Sequence, residues 1–244
     1  MGVISDNSTV RFLYRFKFEN GVEKEFDITL EGETLGLIYS DEMEKPEWTK
    51  LNFCQCDNCP LPDAVTHCPV AVNLSRLVDT FRDYVSYETA HVTVETAYRI
   101  YYKKVALQKG ISSILGIYMV SSNCPVMDPL RPMVRFHLPF ANSLETFFRS
   151  VSAYLVAQFL KARHGKEPDW QMKKLVDIYR AINKVNKGMS ERITNAAEKD
   201  ASVNAVVILH SFGDGIPYFI ESGLEELEPL FWMFLKEEAA DKPQ

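Results

Sequence analysis

Four of the five cysteines lie close together in the sequence and are spaced as metal ligands often are. Cys54, Cys56, Cys59 and Cys68 form the pattern C-x-C-x2-C-x8-C. Thiolates two or three residues apart in a turn can converge on one ion, and the stretch before Cys68 leaves room for the fourth thiolate to return. Zinc prefers four such ligands in a tetrahedron, which leaves no position open for water. The spacing therefore predicts a structural Zn²⁺ site on the loop 54–68.

The same cysteines allow other interpretations. Thiolates also hold iron–sulfur clusters, and Cys59 and Cys68 are each followed by proline, although the spacing does not match the ferredoxin patterns. His67 could replace one cysteine as a ligand. Unrelated free thiols are usually buried in the core, whereas these four lie in a loop that contains Pro, Asp and Asn. We therefore favour zinc, with an iron–sulfur cluster as the alternative.

A second set of polar residues lies in the segment Ser121–Phe140, where four prolines predict an irregular backbone that is neither helix nor central strand. A cysteine beside an imidazole can form a thiol nucleophile, so Cys124 and His137 are the candidate catalytic pair. Arginines near the start of a helix can instead hold an anionic ligand. The candidate ligand-binding residues are Arg131, Arg135, His137 and Arg149.

A purely structural role would also explain these residues. His137 would be an interior histidine with a hydrogen-bond partner, and Cys124 a small buried residue. Arg149 would pair with Glu145 one helical turn earlier. We favour this interpretation over catalysis, and we expect Cys124 to lie apart from the other four cysteines. The chain contains no common nucleotide-binding or hydrolase motif, so no catalytic residue is assigned.

Composition and charge argue against several classes of protein. The chain has 244 residues, 46% of them hydrophobic and 25% charged, which is typical of a globular protein. A net charge of -6 argues against generic nucleic-acid binding, which needs clustered lysine and arginine. The first residues do not resemble a secretory signal. The apolar stretch Ile111–Val120 is far shorter than the roughly 20 residues of a membrane span. We expect a cytoplasmic protein with no nucleic acid and no membrane partner.

The elements that would position these residues begin with a β-hairpin. Aromatic residues at every second position from Phe12 to Phe18 predict a strand with one buried face, and a similar strand follows. A two-residue turn would place aromatic residues opposite charged ones. We therefore predict a three-residue loop that ends at Gly21 in the left-handed conformation and pairs Lys17 with Glu23.

Three further elements are predicted in the first half of the chain. They are a short strand over Trp48–Phe53 that leads into the cysteines, a helix over Val70–Tyr84, and one long strand from Val92 to Tyr102. Residues 1–107 are thus expected to be mainly β, with a small antiparallel sheet and the metal-stapled loop.

Residues 108–244 are predicted to be mainly α-helical and to pack against this sheet. Asn142 and Glu145 form a capping box for a helix that ends at Gly165. That helix carries an apolar stripe, which consists of Leu144, Phe148, Val151, Leu155 and Phe159. Further helices are expected from Asp169 to Gly188, over Glu191–Lys199, over Ala201–Phe212, and from Ser222 to Phe234. Strands followed by helices favour an α+β fold, which we expect to form a single integrated domain over 1–244.

Several short motifs resemble those of a group of uncharacterised bacterial proteins that share a domain of unknown function. They are the runs Gln108–Tyr118, Cys124-Pro125, Arg131–Met133, Arg135–Phe140 and Glu145-Thr146. The resemblance covers about half of the sequence. It implies a bacterial origin and carries no activity, so it assigns no catalytic residue.

These features predict a non-enzymatic cytoplasmic protein with a regulatory or interaction role. Zn²⁺ would hold its β half, and its helical half would contact an unknown protein partner. Two alternatives stay open. One is an enzyme or a sensor of a small anionic ligand that uses Cys124, Arg135 and His137, and the other is an iron–sulfur redox or sensor protein.

Overall fold

The computed structural model describes residues 8–39 and 45–236 and has the predicted α+β fold. The strands are β1 (Thr9–Phe18), β2 (Glu23–Glu31), β3 (Leu37–Ile38), β4 (Thr89–Glu95) and β5 (Ile100–Ala106). They form one antiparallel sheet in the N-terminal half, in the order β3-β2-β1-β4-β5.

Seven helices are described, most of them in the C-terminal half. They are α1 (Pro69–Thr80), α2 (Leu107–Val120), α3 (Arg131–Arg135), α4 (Ser143–Arg163), α5 (Lys173–Ala196), α6 (Ala201–Glu221) and α7 (Trp232–Leu235). α3, together with a 3-10 turn over Asp128–Leu130, lies in the proline-rich segment that was predicted to contain no helix. Pro129 and Pro132 stand in the first turns of these short helices, where no amide donor is needed.

The β1–β2 hairpin has the predicted register. Lys17 pairs with Glu23, and the Phe18 amide donates to the Val22 carbonyl at 2.9 Å. Gly21 has a φ of +85°, which only glycine adopts without strain. This turn therefore follows from local sequence alone.

The predicted long strand from Val92 to Tyr102 is wrong, because the chain reverses inside it. β4 and β5 pair with each other, and the reversal lies between Glu95 and Ile100. The Thr96 amide donates to the Arg99 carbonyl at 2.9 Å, and the Thr96 hydroxyl accepts from the Arg99 amide at 3.1 Å. A threonine side chain thus closes a turn that contains no glycine or proline.

The strand predicted over Trp48–Phe53 is also absent. A 3-10 turn, Glu47–Thr49, follows Pro46, and a single antiparallel bridge joins Lys50 to His67. The Pro46 carbonyl accepts hydrogen bonds from both the amide and the hydroxyl of Thr49, which stabilises the turn against extension.

The capping box predicted for α4 is confirmed. The Asn142 side chain accepts from the Glu145 amide at 2.9 Å, and the Glu145 carboxylate accepts from the Asn142 amide at 2.8 Å. The apolar stripe predicted on this helix does not form a buried face. Val151 is buried, but Leu144, Phe148 and Phe159 are exposed.

α5 does not end at Gly188 as predicted. It continues to Ala196 and includes most of the separate helix expected after Glu191. At Gly188 the side chain of Cys56 lies against the helix, so that an added Cβ would stand 2.8 Å from its sulfur. Gly188 therefore marks a close contact with the cysteine loop and not a helix end.

The C-terminal helix predicted from Ser222 is short. The chain forms a 3-10 turn over Glu228–Phe231 and the single helical turn α7, both with exposed apolar side chains. Gly223 and Leu224 both have positive φ values, which prevents a helix from starting at Ser222.

One helix of the described residues, α6, has the length and apolar composition that a membrane-spanning helix requires. A core helix can meet the same criteria, and α6 packs against α2, α4 and α5. Its buried positions include Ala201, Ala205 and Val206. The expectation that no membrane is involved stays a prediction.

α2 connects the two halves of the molecule. Gly110 packs so closely on the sheet that an added Cβ would lie 2.8 Å from the ring of Phe16. On its other side α2 contacts α6, which in turn packs on α5. Buried apolar residues of the sheet and of the helices form one continuous core. That the chain forms a single domain remains a prediction.

Candidate functional site

A cavity of about 490 Å³ lies between α2, the segment from α3 to the start of α4, and the helices α5 and α6. Apolar side chains, among them Met119, Leu138 and Ile208, form much of its wall. Its volume falls within the roughly 300–1,000 Å³ typical of sites for small organic molecules. The cavity is therefore large enough to hold such a ligand.

His137 lines this cavity and belongs to a buried polar network. Its Nε2 lies 2.6 Å from the hydroxyl of Tyr14, and that hydroxyl lies 2.9 Å from Oγ of Ser113 on α2. Burial, together with the nearby charge of Arg149, lowers the pKa of His137 to about 3. The imidazole is thus neutral at neutral pH, and burial raises the pKa of the Tyr14 hydroxyl.

Arg149 also lines the cavity, and its Nη2 donates to the carbonyls of Met133 and Phe136, both at 2.7 Å. Burial lowers its pKa from the usual value. The predicted partner Glu145 instead caps α4. Among residues 8–39 and 45–236, those that line the cavity include Lys103, Lys109 and Arg149 and no aspartate or glutamate. The charge around the cavity is therefore positive.

The structure separates the predicted ligand-binding residues into two groups. His137 and Arg149 line the cavity, whereas Arg131 and Arg135 lie outside it on α3. Nη2 of Arg131 donates to Asp128 at 2.9 Å and to Asn123 at 3.2 Å. Arg131 thus stabilises the turn that precedes α3.

Some residues at or beside the cavity were not predicted as site residues. Lys103 and Ser113 line the cavity, and Tyr14 contacts its wall through His137. The sequence pattern placed Tyr14 only on the buried face of the first strand. A hydroxyl among phenylalanines on a buried strand face needs a partner, and that requirement would have singled out Tyr14. Ser113, its partner, gives no such signal, because serine on a helix rarely has a specific role.

The cysteine loop packs beside α5, away from this cavity. The Cys59 amide donates to the Cys56 carbonyl at 3.0 Å, which closes a tight turn, and Cys68 directly precedes the first turn of α1. Backbone amides of Ala71 and Val70 donate to the Cys68 sulfur, but burial is the larger effect and raises its pKa. Burial and the charge of Cys68 raise the pKa of Cys56 to about 12.

Cys124 does not lie apart from the other cysteines as expected. It is close enough that the charges of Cys68 and Cys59 act on its thiol, although burial is the main cause of its raised pKa. The sequence prediction was wrong because the turn after α2 returns the chain to the start of α1, a contact that sequence separation does not reveal. Cys124 is itself buried, and amides of Val126 and Met127 donate to its sulfur.

No three His, Cys, Asp or Glu side chains within residues 8–39 and 45–236 stand in an arrangement that could hold a metal ion as they are. Cys54 has a left-handed backbone with a φ of +44°. Nδ1 of His67 lies 2.9 Å from the hydroxyl of Thr49. The predicted metal site on the loop 54–68 stays a prediction.

The thiol and the imidazole of the nucleophile hypothesis have different neighbours. His137 contacts Phe12 and Tyr14, whereas Cys124 lies with Cys59 and Cys68. Burial raises the pKa of Cys124, and an activated thiol needs the opposite shift. The described contacts therefore do not pair Cys124 with His137.

Comparisons with curated proteins and with solved structures find no match. A model of one protein family, described as a domain of unknown function (DUF6901), matches residues 12–232. The match includes the sheet, the cysteine loop and the walls of the cavity. The chain therefore belongs to the DUF6901 family.

Proposed function

We propose that this protein is a non-enzymatic binding protein, with a regulatory role, for a small amphiphilic anion. The cavity carries the proposal, because it combines apolar walls with three basic lining residues, Lys103, Lys109 and Arg149. Apolar walls would bury the body of a ligand, and the basic residues would pair with its charged group. The proposal also includes a cytoplasmic location.

Arg149 is the residue best placed to receive the anionic group. Only its Nη2 is used in hydrogen bonds to the carbonyls of Met133 and Phe136. Burial lowers the pKa of Arg149, which means that its positive charge is poorly solvated. A carboxylate in the cavity would supply the missing counter-charge. Charge-assisted hydrogen bonds of this kind contribute about 1.5–3 kcal/mol.

The chemistry of the cavity supports binding over catalysis. His137, the one histidine of its wall, has a pKa of about 3 and cannot accept a proton at neutral pH. Its Nε2 is already engaged by Tyr14. Cys124 is not part of the wall. These groups position one another and leave no general base beside the ligand.

Calorimetric titration with dodecanoate tests this proposal, with dodecan-1-ol as the uncharged probe of the same chain length. We expect dodecanoate to bind more tightly than the alcohol. Arg149→Met should weaken dodecanoate binding by about 10- to 100-fold, which corresponds to the loss of a charge-assisted hydrogen bond. The same substitution should leave the affinity for the alcohol nearly unchanged.

A pair of substitutions at Gly116 locates the site. Gly116 lines the cavity, and a Cβ added there meets no atom within 4 Å. Gly116→Leu should fill the space and abolish binding, whereas Gly116→Ala should keep it. Equal dodecanoate affinity in both variants would show that the ligand binds elsewhere, and no binding to the wild-type protein would refute the proposal.

We also propose that a structural metal ion holds the cysteine loop against the rest of the fold, and we call this ion the metal staple. The proximity of thiols from three separate segments favours it. Elemental analysis of purified protein distinguishes zinc from an iron–sulfur cluster, since the cluster adds iron, sulfide and visible colour. Metal-free protein with its full stability would contradict this part of the proposal.

A further inference from the structure

We propose that Cys56, Cys59, Cys68 and Cys124 bind one structural zinc ion, so that Cys124 and not Cys54 is the fourth ligand. This inference rests on the proposed metal staple and is independent of the ligand cavity. A zinc ion bound in this way would join the cysteine loop to the turn after α2. No strand pairing among the described residues connects these two segments.

Cys68 and Cys124 have the same local structure. Each is followed by a proline, which lacks an amide, and the next two amides of the chain donate to the cysteine sulfur. For Cys68 these amides belong to Val70 and Ala71. For Cys124 they belong to Val126 and Met127. Amide donors of this kind stabilise a metal-bound thiolate and fix its orientation.

Cys56 and Cys59 supply the second half of the site. Their turn, closed by the bond from the Cys59 amide to the Cys56 carbonyl, places two thiols three residues apart on one side of the chain. The charges of Cys68, Cys59 and Cys124 all act on the thiol of Cys56. Three other thiols are therefore close enough to Cys56 to act on it, although no three of the described thiols stand in metal-binding geometry before an ion binds.

Cys54 differs from these four residues. The other four cysteines belong to the core or pack against it, and Cys54 does not. The atoms nearest to an added Cβ at Gly188 include the sulfur of Cys56 and the carbonyl oxygen of Cys54. The thiols whose charges act on Cys56 are those of Cys59, Cys68 and Cys124.

Arg192 independently indicates that negative charge belongs at the proposed four-cysteine site. Its side chain is 1% exposed, and Nε has no hydrogen-bond partner within the described parts of the chain. No carboxylate of residues 8–39 or 45–236 forms an ion pair with it, and its charge acts on Cys56 and Cys68. A buried cation needs a counter-charge. Four thiolates around Zn²⁺ carry a net charge of minus two and would supply it.

Zinc binding is expected to change the positions of the four sulfur atoms as well as to occupy the space between them. Without a metal ion the thiols of Cys56, Cys68 and Cys124 stay protonated, because burial raises their pKa values. Coordination forms four zinc–sulfur bonds, draws the sulfur atoms together and releases four thiol protons to water. Binding is then coupled to local folding, as in other structural zinc sites.

Metal content of matched cysteine variants tests the assignment. The full chain is purified from zinc-supplemented cells as wild type, Cys54→Ser, Cys124→Ser and Cys124→His. We expect one zinc ion per chain in the wild type, in Cys54→Ser and in Cys124→His, because histidine can replace a thiolate ligand. Cys124→Ser should lose most of its zinc. Loss of zinc in Cys54→Ser with retention in Cys124→Ser would overturn the assignment.

Alkylation of the wild-type protein gives a result that does not depend on the folding of a variant. Cys54 and Cys59 are both half-buried, so they form a matched pair. Iodoacetamide followed by mass spectrometry should show Cys54 modified with or without a chelator, and Cys59 modified rapidly only after chelation. Protection of Cys54 equal to that of Cys59 would refute the proposal. Zinc-free wild-type protein would instead refute the metal staple itself, and iron with sulfide would refute the choice of zinc.

Discussion

The hydroxyl oxygen of Tyr14 lies 2.6 Å from Nε2 of His137 and 2.9 Å from Oγ of Ser113. Tyr14 stands on the central strand of the sheet, Ser113 on α2, and His137 in the segment between α3 and α4. Since Tyr14 is fully buried, its hydroxyl depends on these two partners for its hydrogen bonds. This one hydroxyl therefore ties the sheet to the wall of the cavity.

Tyr14→Phe should destabilise the fold by about 1–3 kcal/mol, because it removes both hydrogen bonds of a buried hydroxyl without changing the shape of the ring. Urea unfolding followed by tryptophan fluorescence measures the loss. Tyr102→Phe is the matched control. Tyr102 is also a strand tyrosine whose hydroxyl contacts a histidine, His91, but it is 63% exposed.

Because water replaces the lost bond at Tyr102, its variant should change stability by less than about 0.5 kcal/mol. Equal effects of the two substitutions would show that the buried network contributes nothing specific.

Stability should fall in mild acid because of His137. Its pKa is about 3 in the fold and 6.5 without the protein environment. Between these values the unfolded chain binds a proton that the folded chain does not, so the free energy of unfolding decreases as the pH falls from 6.5 toward 3. From pH 7 to pH 5 the contribution of this one residue is about 2 kcal/mol.

His137→Gln separates this titration from those of the carboxylates. Glutamine can still accept a hydrogen bond from Tyr14 but carries no proton in this range. The difference in free energy of unfolding between pH 7 and pH 5 should be smaller in the variant than in the wild type. An unchanged difference would mean that His137 is protonated within the fold.

Two helical glycines should respond to alanine in opposite directions. At Gly188 the new Cβ would stand 2.8 Å from the Cys56 sulfur, and this overpacking should destabilise the protein by about 1–3 kcal/mol. At Gly116 the new Cβ meets open space, so Gly116→Ala should stabilise α2 by about 0.5–1 kcal/mol. Urea unfolding of the two variants checks both signs. A stabilised Gly188→Ala protein would show that the cysteine loop moves away without cost.

Local signals explain what could be predicted from the sequence. Gly21 and the alternation around it specify the first hairpin, and the Asn142–Glu145 capping box specifies the start of α4. The turn at Thr96 escaped prediction because the side chains on both sides of it continue the same alternation. A chain reversal inside a regular alternation can be predicted only when the sequence contains a residue typical of turns. Threonine is only weakly typical of turns.

Long-range contacts explain what could not be predicted. Cys124 is distant in sequence from the other cysteines, and only the packing of α2 against α1 brings it to Cys68. Gly188 resembles a helix stop until the sulfur of Cys56 is seen against it. The cavity has no sequence signal of its own, because its walls come from helices that are far apart in the chain.

Arg192 joins α5 to the backbone that leads into the cysteine loop. Its Nη1 donates to the carbonyls of Trp48 at 2.9 Å and Lys50 at 2.6 Å, and its Nη2 donates to the carbonyl of Leu51 at 2.7 Å. Arg192→Met keeps an unbranched side chain but removes the donor of all three bonds. The Lys50 carbonyl still accepts from the Phe53 amide at 3.1 Å, whereas the carbonyls of Trp48 and Leu51 lose the donor that Arg192 supplies. Each unsatisfied buried group costs about 1–3 kcal/mol, so the loss should be several kcal/mol. Arg192→Lys keeps the charge but not the planar arrangement of donors and should lose less.

The stability that is lost in Arg192→Met should depend on whether zinc is bound. In zinc-loaded protein Arg192 also faces the net negative charge of the proposed thiolate site, whereas in chelated protein the neighbouring thiols are neutral. The free energy of unfolding lost in Arg192→Met should therefore be larger with zinc than after chelation, measured by urea unfolding of the same preparations. Equal losses in both states would mean that Arg192 serves the three carbonyls alone. A larger loss with zinc, reduced in Arg192→Lys, would show that its charge is coupled to the metal.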